Sequence, residues 1–221
     1  HGLLDIFNRP KWYSIKNGSS SYIKKILNKT SVKNIKLSET IRIKRDEDKS
    51  TIINNDLKTD DDYVIFTCNT KQISQILIDQ TKDETEAYSY FEYLDNKVVL
   101  HNDVSLMPAD RSKWSSWNSI KKDNDQYVTY WMNNLQKLDT NENIFVTLGI
   151  FNISNSNKIF RAKKYDHIVY KKRTIIGQEK IENLQGKNRL FYAGAYLGYG
   201  FHEDGVKSGM RVAQMINDLK E

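Results

Sequence analysis

The chain has 221 residues, 38% hydrophobic and 28% charged, with a net charge of +6. This is the balance of a globular protein with room for one sizeable domain or two small ones. No apolar run reaches membrane-spanning length, no signal-peptide pattern is present, and the single cysteine, Cys68, excludes an internal disulfide framework and suits a reducing, cytoplasmic setting.

The lysines are interleaved with Asp and Glu, which reads as a solvated basic surface rather than a nucleic-acid stripe. His1 to Phe7 reads as the tail of an element that began earlier, and His1 in place of Met suggests a piece of a longer chain or a processed one. Arg9 to Ile15 has the aromatic and β-branched content of a short strand. Asn17-Gly18 is a turn signal, and Ser19 to Ser21 can cap a helix with Tyr22, Ile23, Ile26 and Leu27 as its apolar stripe.

Residues 35–66 predict three strands. Ile35, Leu37, Ile41 and Ile43 alternate, Thr51 to Ile53 is short, and Tyr63 to Phe66 is a continuous apolar run of the kind found in buried strands. The acidic run Asp60-Asp61-Asp62 reads as a solvated loop, because consecutive side chains diverge too much to share a metal ion.

Helices are expected over 70–78 and 83–93, with the charged stretch Asp79 to Glu86 crossing between two regions. Lys97 to Pro108 predicts a strand that ends at the proline. On that strand His101 and Asp103 would share a face, but no third metal ligand is evident, and a hydrogen-bonded histidine is the better reading. Three of the four tryptophans lie between residues 114 and 131. With Tyr130 they form either an aromatic core, the simpler reading of the pattern, or the wall of a binding cavity. Asn143 to Leu148 and the basic stretch Lys158 to Tyr170 read as strands, and Lys171 to Lys187 as a charged connector.

The most structured signal is near the end. Leu190 to Tyr192 is a short apolar strand, Gly194, Gly198 and Gly200 make a turn, and Met210, Ala213 and Ile216 recur at helical spacing from Val206 onward. Gly205 and Gly209, four apart, would let another backbone approach that helix. A glycine turn feeding a helix N-terminus offers unpaired backbone N–H groups to a phosphate or a polarised carbonyl. The alternative is a strand–helix turn that is merely tight. The turn is not the dinucleotide fingerprint, since Glu203 stands where the third glycine belongs.

Tyr192-Ala-Gly194 followed by Gly200-Phe-His-Glu-Asp-Gly205-Val-Lys-Ser-Gly209 resembles the C-terminal flavin-binding segment of the FAD-dependent amine oxidase superfamily. The closer likeness is to its bacterial branch of NAD/FAD-binding amine oxidoreductases. The stretches Val98 to Pro108, Trp114-Ser-Ser-Trp117-Asn118, Val128 to Gln136 and Val146 to Leu148 resemble a block distinctive of that branch. Arg9-Pro10-x-Trp12 with Asn17-Gly18-Ser19, and Asp62 to Thr70, resemble further parts of the family's flavin domain.

The resemblance covers nearly all of these residues but only the C-terminal half of the family's chain. It implies an α/β, mixed helix-and-strand fold: the C-terminal part of a two-domain, Rossmann-like FAD/NAD(P)-binding flavoprotein with a mixed-sheet substrate domain. Residues 1–80 and 171–221 would belong to the flavin domain, and 81–170 to the substrate region. FAD is the implied cofactor. Ile41 would lie against its adenine side, although plain sheet core explains Ile41 equally well. Gly194, Ala195, Gly200, Phe201 and His202 would lie against the flavin. Phe201 matches an aromatic that flanks the flavin in amine oxidases, and as Phe rather than Tyr it lacks a polar handle. Trp114, Trp117, Tyr130 and Trp131 would belong to the substrate region. No general base stands out, and Cys68, on the strand motif, is not placed for covalent flavin attachment.

No G-x-G-x-x-G occurs in the sequence. The expectations are therefore the C-terminal portion of a FAD-dependent oxidoreductase acting on a small molecule, or a non-catalytic or split-gene piece that needs a partner chain carrying the missing half. A basic, aromatic-rich nucleic-acid binder is a third class, favoured only by charge and aromatic content.

Overall fold

The computed structural model describes residues 7, 13–32, 34–45, 50–54, 57–122, 125–153 and 155–219. The expectations for His1 to Ile6, and for Arg9 to Trp12 of the first strand, lie outside them. Tyr13 to Ile15 form no strand.

Helix α1 spans Ser19–Lys29, with Gly18 and not a serine at its N-cap. Ser21 Oγ instead donates to the Gly18 carbonyl at 2.8 Å. The helix buries none of its residues, and Ile23 and Ile26 are 47% and 53% exposed. Its apolar stripe therefore has no cover among the described residues.

Three short antiparallel strands follow: β1 (Arg42–Arg45), β2 (Ser50–Asn54) and β3 (Leu57–Asp61). The alternation from Ile35 produces a strand only from Arg42 onward. Asp60 and Asp61, expected in a loop, end β3 instead, because Thr51 and Ser50 of β2 pair with them.

Strand β4 (Val64–Phe66) leads to helix α2 (Thr70–Ile76), capped by Asn69 Oδ1 accepting from the Gln72 amide at 2.9 Å. Helix α3 (Lys82–Ser89) opens with a reciprocal capping box: Thr81 Oγ1 accepts from the Glu84 amide and Glu84 Oε2 from the Thr81 amide. The other carboxylate oxygen of Glu84 takes Arg45 Nη1 at 2.6 Å, tying β1 to the start of α3. The helix ends before Tyr93, which already belongs to the next strand.

That strand, β5 (Glu92–His101), lies second from one edge of an antiparallel sheet with β6 (Trp117–Lys122), β7 (Asp125–Trp131), β8 (Phe145–Ile150) and β9 (Ile159–Val169), in the order β6-β7-β8-β5-β9. A five-residue helix α4 (Met132–Gln136) follows β7. Strand β5 stops at His101, short of the expected Pro108. Asp103 caps a single 3₁₀ turn there by accepting from the Ser105 amide at 3.1 Å.

The expected connector after β9 is helix α5 (Lys172–Glu182), which buries Thr174, Gly177 and Ile181. Strand β10 (Leu190–Tyr192) then pairs in parallel with β4, and helix α6 (His202–Asp218) starts four residues before its predicted first turn. The architecture thus mixes helices with an antiparallel sheet and a parallel strand pair.

The main core draws on all three segments expected from the sequence: Ile43, Phe66 and Leu77 from the first, Ala87 and Phe91 from the second, Ile181 and Tyr192 from the third. Opposite that core, Phe191 and Ala193 pack against Val212 of α6.

The two edges of the parallel pair differ. On the outer edge of β10, Gln185 uses its side-chain amide as a surrogate strand: Oε1 accepts from the Tyr192 amide at 2.9 Å and Nε2 donates to the Tyr192 carbonyl at 2.7 Å. The Gly186 amide closes the Leu190 carbonyl on the same edge at 2.9 Å. The outer edge of β4 pairs with no described residue, and Ile65 is 45% exposed.

Candidate functional site

The turn between β10 and α6 is bonded from three sides. Ser208 Oγ accepts from the Gly194 amide at 2.9 Å and donates to the Gly205 carbonyl at 2.8 Å. Gln178 of α5 donates to the carbonyls of Tyr196 and Gly198. Asp204 Oδ2 accepts from the amides of Tyr199 and Phe201, at 3.0 and 2.9 Å.

Each glycine of the turn also has a reason within the chain. A Cβ on Gly194 would stand 2.7 Å from the Tyr196 ring, and one on Gly198 would stand 2.5 Å from the Asp204 carboxylate carbon. Gly200, at φ 88°, would meet the Tyr170 hydroxyl at 2.8 Å. Gly205 is looser, since a Cβ there makes ordinary contact with Ala195 at 3.7 Å, and Gly209 has nothing within 4 Å. The close backbone approach expected along this helix face is therefore absent at Gly209 among the described residues.

The turn leaves the first amides of α6 open. His202 and Glu203 are exposed, and their amides donate to no described acceptor. Phe201 is 38% exposed beside them. The site thus presents two N–H donors at the positive end of a 17-residue helix, flanked by an aromatic ring. This suits an electron-rich carbonyl edge or an anion.

Behind the turn the surroundings are apolar. Burial, with Asp204 and Tyr93 nearby, pushes the Tyr170 phenol up to about 12. Burial likewise drives the Tyr196 phenol well above its usual value, and its hydroxyl has no hydrogen-bond partner among the described residues. Cys68 packs against the same core as Tyr196, and burial pushes its thiol up, which keeps it protonated.

No protein-family model matches the chain, and no curated protein matches it by sequence. Solved structures do. The CLA-producing fatty acid isomerase from P. acnes is 18% identical, with a TM-score of 0.60 over 87% of this chain and 51% of that one. Putrescine oxidase bound to putrescine is 12% identical, with a TM-score of 0.59 over 90% of this chain and 53% of its own. Cyclohexylamine oxidase from Brevibacterium oxydans IH-35A is 10% identical, with a TM-score of 0.54 over 82% and 49%. This is the amine-oxidase fold. The chain spans about half the length of these structures.

Within the amine-oxidase fold, Gly194, Ala195, Gly200, Phe201 and His202 fall together in the turn just described. Ile41 lies apart from them, just before β1, with its side chain against the main core.

The four aromatic residues expected in the substrate region are divided by the sheet. Trp117 and Tyr130 are cross-strand partners on the open face, with ring centroids 5.7 Å apart, and Trp117 is 54% exposed. Trp114 and Trp131 meet on the opposite face, where Trp114 also packs edge-on against Phe145. There Trp114 Nε1 donates to the Pro108 carbonyl at 2.7 Å, while Trp131 Nε1 is buried without a partner among the described residues. One cavity cannot be lined by all four from the same side of the sheet.

The covered face also holds a polar chain that sequence patterns could not locate. His101, fully buried, uses Nδ1 to accept from the Asp103 amide and Nε2 to meet Thr147 Oγ1 at 2.7 Å. Thr147 bonds Thr129 Oγ1 at 2.8 Å, and Thr129 donates to the Leu106 carbonyl. Burial lowers the His101 pKa to about 4, so the ring is neutral. Burial of Asp103 opposes its ionisation, but Lys158 at 2.8 Å and the Ser105 amide outweigh it and hold its pKa below the usual value. This histidine is a structural element of the sheet.

Proposed function

We propose that the chain is the C-terminal portion of a FAD-dependent oxidoreductase of the amine oxidase type. The observation that carries this reading is the exposed start of α6, where the His202 and Glu203 amides donate to no described acceptor. A flavin, when bound, would supply the hydride acceptor. The residues fit its carbonyl edge: two backbone donors and the helix dipole would stabilise negative charge there, and Phe201 would flank the ring. Residues 1–80 and 171–221 would serve the cofactor, and 81–170 the substrate.

A specific observation favours the second reading, that the chain works only with a partner polypeptide carrying the missing G-x-G-x-x-G half. The β4 edge and the apolar stripe of α1 lack partners among the described residues. The fold's solved relatives are about twice as long as the matched part.

The test is a FAD titration followed by absorbance and fluorescence quenching, on this chain alone and co-expressed with the missing half. Stoichiometric binding by the chain alone supports the first reading without a partner. Binding only on co-expression supports the second. No binding in either case refutes both. Gly194→Ala, which meets the Tyr196 ring, and Gly205→Leu, which fills the gap to Ala195, are each expected to weaken FAD at least tenfold. Unchanged affinity in both would remove the turn from the cofactor site.

A further inference from the structure

The open face of the five-stranded sheet has a directional chemistry. In an antiparallel sheet, directly opposed residues share a face. From Trp117 and Tyr130 the row runs through Val146 and Leu100 to Arg161 on the edge strand β9. The adjacent row runs from Val128 through Leu148 and Val98 to Lys163. The centre is thus apolar and half-buried, one end is aromatic, and the other end carries two cations. Neither cation makes an ion pair with a described residue, and neither row contains Asp or Glu. At the spacing of paired strands, four intervals separate β6 from β9, a span of about 19 Å.

We propose that this face binds a long-chain carboxylate, a free fatty acid, with its head group at Arg161 and Lys163 and its tail across Leu100, Val98, Val146 and Leu148 toward Trp117. The assignment rests on the reading of residues 81–170 as the substrate region and gives that region a substrate class. Arginine and lysine attract a carboxylate and repel an alkylammonium ion. The apolar rows reward tail burial whatever the head group is. Charge complementarity therefore selects the acid over an amine of equal length, and the tail alone cannot.

The probe set is oleate, oleyl alcohol and oleylamine, each titrated below its aggregation threshold into the full chain while tryptophan fluorescence is followed. Oleate is expected to saturate and to bind at least tenfold more tightly than the other two. Arg161→Glu with Lys163→Glu should weaken oleate at least tenfold and strengthen oleylamine. Trp117→Phe should remove most of the signal, which places the probe on this face. Both cations are exposed on an edge strand, so unchanged circular dichroism is the folding control; Arg161→Gln with Lys163→Gln gives the same reading should the double reversal misfold. Equal or tighter binding of the amine or the alcohol overturns the proposal, as does oleate binding that ignores charge reversal. Absence of binding overturns it too, as does a dimer that excludes oleate from this face. No flavin enters the assay, so its failure leaves the FAD titration intact, and failure of that titration leaves this result standing.

Discussion

The covered face of the five-stranded sheet and the parallel pair β4–β10 handle their polar groups in opposite ways. On the sheet, His101, Thr147, Thr129 and the Leu106 carbonyl form a chain in which each donor has an acceptor, with Trp131 Nε1 as the exception nearby. At the parallel pair, one edge is closed by Gln185 and Gly186, while the other edge and the first amides of α6 are left without described partners. Buried or pairing-competent backbone groups left unmatched are costly or sticky. The difference separates the side of the chain that satisfies its own polar groups from the side on which the proposed cofactor and partner polypeptide would act.

The sharpest way to probe the self-sufficient side is pH. Unfolded, His101 takes up a proton near its ordinary 6.5; folded, it stays neutral down to about 4. Its contribution is therefore complete above pH 6.5 and is lost as pH falls through 6.5 to 4, amounting to about 3 kcal/mol. Urea unfolding measured across that window should show the decline, and His101→Gln should remove most of it. The other described histidines, His167 and His202, are exposed. An unchanged slope in the variant would show that the network does not hold the ring neutral.

Thr147→Val tests the same network at neutral pH. The Asp103 amide commits Nδ1 as an acceptor, so the Nε2 proton loses its acceptor among the described residues when the hydroxyl goes. The expected loss is about 2 kcal/mol by denaturant unfolding. A loss below about 0.5 kcal/mol, the size of an ordinary surface change, would mean the face is wetter than its burial implies.

How much of this was legible in the sequence depended on which physics set each element. Strand β10 and the turn were readable because an apolar run and glycines signal themselves locally. Helix α5 was not: its buried side consists of Thr174, Gly177 and Ile181, so no apolar stripe shows. A mid-helix glycine normally reads as a breaker, but here a Cβ on Gly177 would stand 2.7 Å from Tyr90 and 2.8 Å from Phe91, so the helix needs glycine for close packing. Strand β3 is polar and exists because β2 pairs with it, a non-local cause. From sequence, Gly194 and Gly200 are expected against a flavin, whereas Tyr196, Asp204 and Tyr170 account for Gly194, Gly198 and Gly200 from within the chain. The aromatic cluster was visible, but its division between two faces follows from the β6–β7 register, which composition does not encode.

Two substitutions at the parallel pair turn the comparison into a contrast of edges. Gln185→Ala strips the surrogate strand from β10 and leaves the Tyr192 amide and carbonyl unpaired, at a cost of about 1 kcal/mol. It also creates a second open edge, so self-association should rise, measurable by sedimentation. Ile65→Lys acts on the edge that is already open. With Ile65 45% exposed and no strand beside it, the isolated chain should change by no more than about 0.5 kcal/mol. Yet a charged side chain there should block an added strand, so co-purification with the proposed partner half should fall sharply while the chain's own melting point stays put. A loss of stability as large as that of Gln185→Ala would place Ile65 inside the chain's own packing, and unimpaired co-purification would move the docking surface elsewhere. Only the combination of a silent fold and a lost partner identifies β4 as the edge that another polypeptide completes.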